Sequence, residues 1–425
     1  MDTRRAAWSL IDSIDSSLEM AARSNLIVGQ SGGPTAVINA TLAGIIETAA
    51  QSESVGEIIG MRHGVQGLLK EDLLDLRRQP SEVLLRLRET PSAALGSSRM
   101  NVTDEDLARM VEILRAHDVH HFLYIGGEGS ANVVHRLGHI VRDVRYELRA
   151  VAVPKTIDND LVETDHCPGY PSVARWLAVA VREAGLDTEA IGVVDTVKVI
   201  ETMGRDTGWI AAGTALARER EGEAPHLIYL PERAFDQDRM LADVSRVHRE
   251  LGHVVVVVSE GLKDSRGTYL SASERAVDRD PVGRPQLGGT AQAVCDIIAL
   301  RLGLKARFDK PGTIQRVSSI MASPVDRDEA YRAGVAGVKA AGDGQTDVMV
   351  AIKREAGREY RSTMTLVPLG QVVGRVRTVP PDYIADTGND VTPKFVSYLA
   401  PLLGGMLPSY PRLADARVPR KLTTN

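Results

Sequence analysis

Cysteine, aromatic residues and long apolar runs are all scarce in this sequence. The two cysteines, Cys167 and Cys295, stand far apart and neither belongs to a C-x-x-C pair, which argues against a disulfide scaffold or a cysteine zinc site. Aromatic residues make up 4% of the chain, too few to favour a surface that stacks nucleic-acid bases. No apolar run approaches the roughly 20 residues that a membrane-spanning helix needs.

An excess of charge of one sign is also absent. The net charge of −5 gives no general attraction to nucleic acid or to an anionic membrane. An anionic substrate must therefore be held by a local cluster of Arg and Lys side chains. Residues 1–24 have an amphipathic helical pattern but lack the apolar core of a signal peptide. We expect a cytoplasmic protein with an N-terminal helical extension over 1–24 and with neither a nucleic-acid nor a membrane partner.

What the sequence does contain is an alternation of strand and helix patterns. At 425 residues the chain is long enough for two or three domains. Short apolar runs at 121–125, 150–153 and 254–258 predict buried strands. Unbroken β-branched runs of this kind fit parallel strands covered on both faces. The pattern predicts an α/β protein with a doubly wound, mostly parallel sheet.

One polar stretch, 154–161, directly follows the apolar run at 150–153. Ligands of open α/β sheets bind just past the carboxyl ends of strands, and this stretch brings Lys155, a threonine hydroxyl, Asp158 and Asp160 there. In an extended segment the two carboxylates would point the same way. Such a set suits magnesium, phosphate and removal of a proton from an alcohol. Taken alone, the stretch is better explained as a solvated turn.

Two glycine-rich turns, 29–35 and 126–130, each lie between a predicted strand and a predicted helix. Free backbone N–H groups and the helix dipole make such a junction an anion site. Neither turn matches G-x-G-x-x-G or the P-loop pattern. If both lie in one sheet beside the stretch 154–161, the three segments can surround a single polyphosphate.

Ligand-type residues thus follow five predicted strands, at Gly32, 126–130, 156–160, 203–205 and Glu260. In this combination the chain resembles the phosphofructokinase family over roughly its residues 25–410. The most specific match is Thr-Ile-Asp-Asn-Asp at 156–160, followed at a suitable distance by Met-Gly-Arg at 203–205. Either motif alone arises by chance; both in order, after a G-G-x-G-S turn, form a strong indication.

The resemblance implies two doubly wound, Rossmann-like domains with mostly parallel sheets and an active site in the cleft between them. The donor-phosphate domain is expected from residues 25–168 plus about 317–365. The sugar-phosphate domain is expected from 169–316 plus about 366–425. In the family, some arginines of the sugar site come from a neighbouring subunit, so a homo-oligomer, dimer or tetramer, is implied.

The resemblance also implies a magnesium-dependent phosphotransferase that makes fructose 1,6-bisphosphate from fructose 6-phosphate. Asp158 matches the general base, and the expected catalytic residues are Asp158, Thr156, Asp160 and Arg205. The expected donor contacts are Gly32, Arg99, Gly127, Gly129, Ser130 and Lys155. The expected sugar-phosphate contacts are Thr156, Met203, Gly204, Arg205, Glu260, Arg307 and Arg316. The expected magnesium ligands are Glu128 and Asp158.

Three departures from the family pattern bear on the substrate. Thr313 stands where the family often has His, so one hydrogen bond to the sugar phosphate is altered or lost. Residues 317–321 replace a common glycine-rich turn, and Glu128 stands where Asp is usual for magnesium. A longer ketose phosphate such as sedoheptulose 7-phosphate is therefore an alternative acceptor.

Two positions address the phosphoryl donor, ATP or pyrophosphate. Gly129 leaves room for a nucleotide, where an aspartate would repel and block it, and in this the chain resembles ATP users. Lys155 resembles pyrophosphate users, since an ammonium there can stabilise the leaving phosphate. The surrounding sequence at 29–39 and 310–316 is similar to the pyrophosphate-dependent branch. The steric argument favours ATP by a narrow margin.

Two rival functions belong to other classes. A catalytically silent regulatory relative is suggested by Glu128 and Thr313, although Thr156, Asp158 and Arg205 have no chemical reason to persist in an inactive chain. A dinucleotide-binding dehydrogenase is suggested only by the fold class. The absence of G-x-G-x-x-G and of an acidic ribose ligand after the first strand counts against it.

Overall fold

The larger of two sheets has seven strands. The computed structural model describes residues 23–271, 287–414 and 416–421 of the chain. Five strands of this sheet run parallel, and an antiparallel strand closes each edge, in the order β11-β10-β5-β4-β1-β2-β3. These strands are β1 Ser24–Gln30, β2 Val55–Met61, β3 Leu73–Asp75, β4 Val119–Gly126, β5 Arg149–Pro154, β10 Val348–Arg354 and β11 Ser362–Pro368.

The smaller sheet is parallel throughout, in the order β7-β8-β6-β9. Its strands are β6 Val197–Thr202, β7 Leu227–Tyr229, β8 Val254–Ser259 and β9 Ala306–Asp309. The valines of β8 alternate between two apolar clusters: Val255 and Val257 pack on one face, and Val254, Val256 and Val258 on the other. Both faces of this sheet are therefore covered, as its unbroken apolar run predicted.

Helices cover both sheets and begin or end at residues with a clear physical role. Thr103 and Asp106 form a capping box at the start of α4, and Gly252 ends α8 in the left-handed conformation, φ 81°. The helices are α1 Ile38–Gln51, α2 Val65–Leu68, α3 Ser81–Leu87, α4 Asp104–Ala116, α5 Glu128–Asp143, α6 Tyr170–Ala190, α7 Trp209–Gly213, α8 Gln237–Leu251, α9 Thr290–Leu302, α10 Ile314–Val317, α11 Pro324–Gly342 and α12 Pro393–Leu399. No helix among these is long and apolar enough to cross a membrane.

Two glycines let α1 and α11 pack in backbone contact. A methyl group at Gly44 would lie 2.2 Å from the Tyr331 carbonyl oxygen, and one at Gly334 would lie 2.2 Å from the Thr41 carbonyl oxygen. No Cβ tolerates such distances, so both positions need glycine. The contact joins the helix that follows the first glycine turn to one nearly 300 residues later in the chain.

The prediction of an α/β fold with mostly parallel sheets is confirmed. The strands β9 and β11 and the helix α8 were not predicted from the sequence. The helix expected within 1–24 falls on residues that, up to 22, lie outside the described part of the chain. We propose two domains, each built around one sheet. The segment 324–368 returns to the larger sheet, and the segment 381–403 packs beside the smaller one.

Candidate active site

The first glycine turn follows β1 and packs against Lys155. Gly32 has φ +75°, and its N–H donates to the Ser98 carbonyl oxygen at 3.0 Å. The Lys155 ammonium donates to the Gly33 carbonyl oxygen at 3.0 Å. A side chain at Gly32 would meet that ammonium, because a Cβ there would lie 2.9 Å from Nζ. The Lys155 ammonium therefore packs against this turn, and the close approach requires glycine at position 32.

The second glycine turn joins β4 to α5. Gly127 precedes the helix, and Glu128, Gly129 and Ser130 form its first turn. No atom of the described residues lies within 4 Å of the place where a Cβ of Gly129 would be, so the open space expected beside this residue is present. The Glu128 carboxylate accepts a hydrogen bond at 3.0 Å from the N–H of Gly374.

The third segment, 156–160, is a turn, so the extended geometry considered from the sequence is wrong. The Asp158 N–H donates to the Thr156 hydroxyl at 3.1 Å, and Asn159 takes the left-handed conformation, φ 55°. An Asn side chain tolerates that conformation better than most. The turn still directs both Asp158 and Asp160 toward one cavity.

Arg377 holds this turn from the side opposite the cavity, and it was not predicted from the sequence. Its guanidinium donates to the Asn159 carbonyl oxygen through Nε at 3.1 Å and Nη2 at 2.9 Å, and to the Thr164 carbonyl oxygen at 2.8 Å. Its own N–H donates to the Asp160 carbonyl oxygen at 2.8 Å. The guanidinium also lies 4.8 Å from the Trp209 ring. The backbone between the two carboxylates is therefore fixed by one residue.

The surroundings of Asp158 and Asp160 disfavour the ionised form of both carboxyl groups. Burial raises the pKa of Asp158 to about 7, with Asp160 and Glu260 raising it further and Arg205 and Lys155 opposing them. Burial also raises the pKa of Asp160, against the effect of Thr156 and Arg377. A carboxyl group with a pKa near neutrality is suited to general base catalysis.

Three cations face these carboxylates. Burial lowers the pKa of Lys155 to about 8; Asp158 opposes that shift, and Arg316 and Arg99 add to it. Burial and the neighbouring Arg99 also lower the pKa of Arg316. The Nε atom of Arg316 is buried without a hydrogen-bond partner among the described residues. Cations that repel one another in a cavity are an anion-binding arrangement.

The segment after β6 supplies the other side of the site. Gly204 and Arg205 both have positive φ, 131° and 49°, and a Cβ at Gly204 would lie 2.7 Å from the Thr207 carbonyl oxygen. The Arg205 N–H donates to the Glu260 carboxylate at 3.3 Å, and burial raises the pKa of Glu260. This hydrogen bond joins the segments that follow the neighbouring strands β6 and β8.

Lys310 is a second residue that sequence reasoning did not assign to the site. Its ammonium lies 3.3 Å from the Glu201 carboxylate, which is 2% exposed and accepts hydrogen bonds from the N–H groups of Gly289 and Ala291 at the start of α9. The positive charge density of 305–316 was the available indication. Lys310 lies beside Thr313, where the family's histidine is missing.

These segments enclose two adjoining cavities, of about 510 and 390 Å³. The first is lined by Met203, Glu260 and Arg316 of the expected sugar site, and also by Lys310 and Thr313. The second is lined by residues of the expected donor site, including Gly32, Gly127, Glu128, Gly129, Ser130 and Asp160. Both cavities share Gly33, Arg99, Lys155, Thr156, Asp158 and Arg205.

Arg307, expected as a sugar-phosphate contact, does not line the cavities of its own chain. It lies on β9, where its guanidinium pairs with Asp195 at 2.5 Å. It lines a separate, small depression with Asp187, Thr188 and Lys198. The side chains of a strand alternate between its two faces, and the side chain of Arg307 is directed away from the cavity that Lys310 and Arg316 line.

The carboxylates of the donor cavity can supply some of the ligands of a magnesium ion. The Asp160 Oδ1 atom is buried without a hydrogen-bond partner among the described residues, and Asp158 and Glu128 line the same cavity. Magnesium is commonly held by one or two carboxylates together with substrate phosphates. The chemistry of these side chains therefore suits an ion that arrives with a phosphorylated substrate.

Comparison with known proteins identifies the family. The family model for phosphofructokinase matches residues 25–341. The chain is 39% identical over 416 residues to the pyrophosphate–fructose 6-phosphate 1-phosphotransferase of Halomonas elongata, covering 94% of this chain and 99% of that protein. It is 39% identical over 421 residues to the protein of the same name from Methylococcus capsulatus, covering 96% and 99%.

A solved structure agrees with these relatives. The pyrophosphate-dependent phosphofructokinase of Nitrosospira multiformis superposes with a TM-score of 0.83 at 36% identity, covering 95% of this chain and 99% of that one. The resemblance inferred from the motifs at 156–160 and 203–205 is therefore confirmed. The chain belongs to the phosphofructokinase family and is a phosphotransferase of the phosphofructokinase type.

Proposed function

We propose that this protein transfers a phosphoryl group from pyrophosphate to the 1-hydroxyl of fructose 6-phosphate, giving fructose 1,6-bisphosphate and phosphate. The observation that carries the proposal is the position of Asp158. Its half-buried carboxylate lines both the donor cavity and the sugar cavity. A base at that junction can reach a hydroxyl on one side while the hydroxyl attacks a phosphorus on the other.

In this mechanism Asp158 accepts the proton of the sugar hydroxyl as that oxygen attacks the donor phosphorus. Thr156 and Asp160 contact the transferred phosphate, and Arg205 stabilises the charge that develops on it. Glu128, Asp158 and Asp160 are the residues that would hold magnesium, which when bound would neutralise charge on the phosphates. Arg377 acts as a positioning residue, since it fixes the carbonyl between the two aspartates.

The donor is proposed as pyrophosphate because two lines of support agree. The curated relatives at 38–39% identity carry pyrophosphate in their names, which favours it over ATP, against the narrow preference for ATP drawn from Gly129. The Lys155 ammonium is buried against the glycine turn, 3.0 Å from the Gly33 carbonyl oxygen. It can neutralise a leaving phosphate that has no nucleotide attached. The open space at Gly129 permits a nucleotide but does not require one.

The acceptor is proposed as fructose 6-phosphate, again with two supports. The relatives are named for it. The sugar cavity also carries two cations, Lys310 and Arg316, that suit a second phosphate. Lys310 stands beside Thr313 and supplies a positive charge close to the position where the family often has His.

Arg307 leads to a proposal about assembly. Since it does not reach the cavity of its own chain, we propose that it contributes to the sugar-phosphate site of a neighbouring chain in a homo-oligomer. A mixture of Asp158→Asn and Arg307→Ala subunits would then regain activity, because some sites would combine an intact Asp158 with an intact Arg307. Mixed oligomers no more active than either parent would contradict this assignment.

The test of the catalytic proposal is the variant Asp158→Asn. We expect its turnover to fall about 10³-fold or more, while calorimetry shows fructose 6-phosphate binding within a few-fold of the parent. Asp206→Asn is the matched control: that carboxylate lies close to Arg205 but pairs with Lys263 and lines neither cavity. Near-normal turnover in Asp158→Asn would refute the assignment of the base.

A further inference from the structure

A cluster of two histidines and one aspartate lies outside both cavities. His135 and His139 stand one turn apart on α5, and Asp347 directly precedes β10. The His135 Nδ1 atom is 2.6 Å from the Asp347 Oδ1 atom, and the two imidazole rings meet edge to face at 4.6 Å. One ligand atom of each residue lies within 4.8 Å of the other two, and no other group of this kind occurs in the described part of the chain.

Asp347 is fixed in place by its backbone. It takes the left-handed conformation, φ 59°, its N–H donates to the Ala150 carbonyl oxygen at 2.9 Å, and its carbonyl oxygen accepts from the Leu369 N–H at 3.0 Å. The Arg142 guanidinium lies 3.5 Å from Oδ2. The carboxylate is therefore held with Oδ1 toward the histidine pair, as an outer hydrogen bond orients a metal ligand.

The chemistry of the three side chains favours a borderline divalent cation. Two imidazoles one helical turn apart and a carboxylate from another element are ligands typical of zinc, at about 2.0–2.2 Å from the ion. In a tetrahedral site such ligands are about 3.4 Å apart, and the ligand atoms here all lie within 4.8 Å of one another. The exposed His139 can adjust its position by side-chain rotation.

We propose that His135, His139 and Asp347 form a binding site for Zn²⁺ or a similar cation, with water as a fourth ligand. The site is distinct from the magnesium ligands of the cleft, since none of its three residues lines either cavity. A bound ion would tie the helix that begins with the second glycine turn to the strand that begins at Val348. The alternative is that His135 and Asp347 form only a hydrogen bond, which predicts no specific cation binding.

Cobalt is the probe, because Co²⁺ takes tetrahedral zinc sites and is visible by absorption. The untagged full-length protein is stripped with a chelator, saturated with Mg²⁺ to cover the cleft, and titrated with Co²⁺ and then Zn²⁺. We expect one equivalent of Co²⁺ to give visible ligand-field bands that Zn²⁺ abolishes. His139→Ala and Asp347→Asn should weaken binding at least tenfold. Asn keeps the left-handed backbone available at 347.

His253→Ala is the matched control. His253 and His226 form a second edge-to-face pair, at 5.2 Å, but no carboxylate completes a metal cluster with them in the described residues. This variant should bind Co²⁺ like the parent protein. Absence of a stoichiometric Co²⁺ complex, or unchanged binding in His139→Ala, would overturn the proposal. Turnover close to that of the parent would show that His139→Ala is folded.

Discussion

At the scale of single residues, the chemistry depends on charges placed where water is excluded. Lys155 is buried and Asp158 is half-buried, and desolvation moves their pKa values toward each other, to about 8 and about 7. The sequence predicted these residues because their types and order are informative. The role of Arg377 was not predicted, because its partners are backbone carbonyl groups. A side chain that donates to the backbone leaves no recognisable pattern in the sequence.

The raised pKa of Asp158 predicts the pH dependence of the reaction. The carboxyl group is a base only when deprotonated, so activity is present above about pH 7 and is lost as the pH falls below it. We expect kcat/KM to fall about tenfold per pH unit on the acid side, after correction for ionisation of pyrophosphate. The measurement is a steady-state pH profile. A profile that stays flat down to about pH 5.5 would contradict the assignment.

Lys155 is predicted to determine the use of pyrophosphate. Lys155→Met removes the ammonium beside Gly33 and should lower turnover with pyrophosphate about 10²–10³-fold, with fructose 6-phosphate affinity changed by less than about threefold. Initial rates and calorimetry measure the two effects. Lys353→Met, on the exposed side of β10, is the control. A variant that keeps its pyrophosphate rate would show that Lys155 has no part in donor chemistry.

At the scale of elements, the sequence predicted what apolar runs and glycine turns determine. The strands β4, β5 and β8 were found because they are buried on both faces. The strand β9 was read only as a positively charged stretch, since its four residues include an arginine and an aspartate. The edge strand β11 is half exposed, and its membership in the sheet depends on pairing with β10 rather than on its own composition.

The segment that carries Arg377 is predicted to position the catalytic turn. Arg377→Met should lower kcat about 10–100-fold through misplaced carboxylates, with little change in KM for the sugar phosphate. Arg377→Lys should recover part of the loss, because one ammonium can replace one of the carbonyl contacts. Arg375→Met, exposed and nearby, controls for loss of charge. Reduced thermal stability with unchanged kcat would mean that Arg377 is only structural.

The close packing of α1 and α11 predicts a stability effect far from the chemistry. Gly334→Ala would place a methyl group against the Thr41 carbonyl oxygen and should reduce the free energy of unfolding by about 1–3 kcal/mol. The midpoint of denaturant unfolding measures it. Gly342→Ala on the same helix is expected to be neutral, because a Cβ there would meet no described residue within 4 Å. Equal midpoints for the two variants would contradict the packing argument.

At the scale of the whole molecule, function follows from placing two sheets so that their strand ends face one cleft. The sequence predicted the α/β class and most residues of the cleft, because those residues follow the strands directly. It could not show that Arg307 points away from its own cavity or that Lys310 enters it, since both lie in one short charged segment. Which face a side chain takes there depends on how β9 pairs with β6.

One assay distinguishes pyrophosphate from ATP as the phosphoryl donor. Purified protein with Mg²⁺ is offered pyrophosphate or ATP, each against fructose 6-phosphate and sedoheptulose 7-phosphate, and kcat/KM is measured for all four pairs. We predict that pyrophosphate with fructose 6-phosphate exceeds ATP with the same sugar by about 100-fold or more, a difference of about 2.7 kcal/mol in transition-state stabilisation. An equal or higher value with ATP would contradict the account of Lys155 and restore the argument from Gly129.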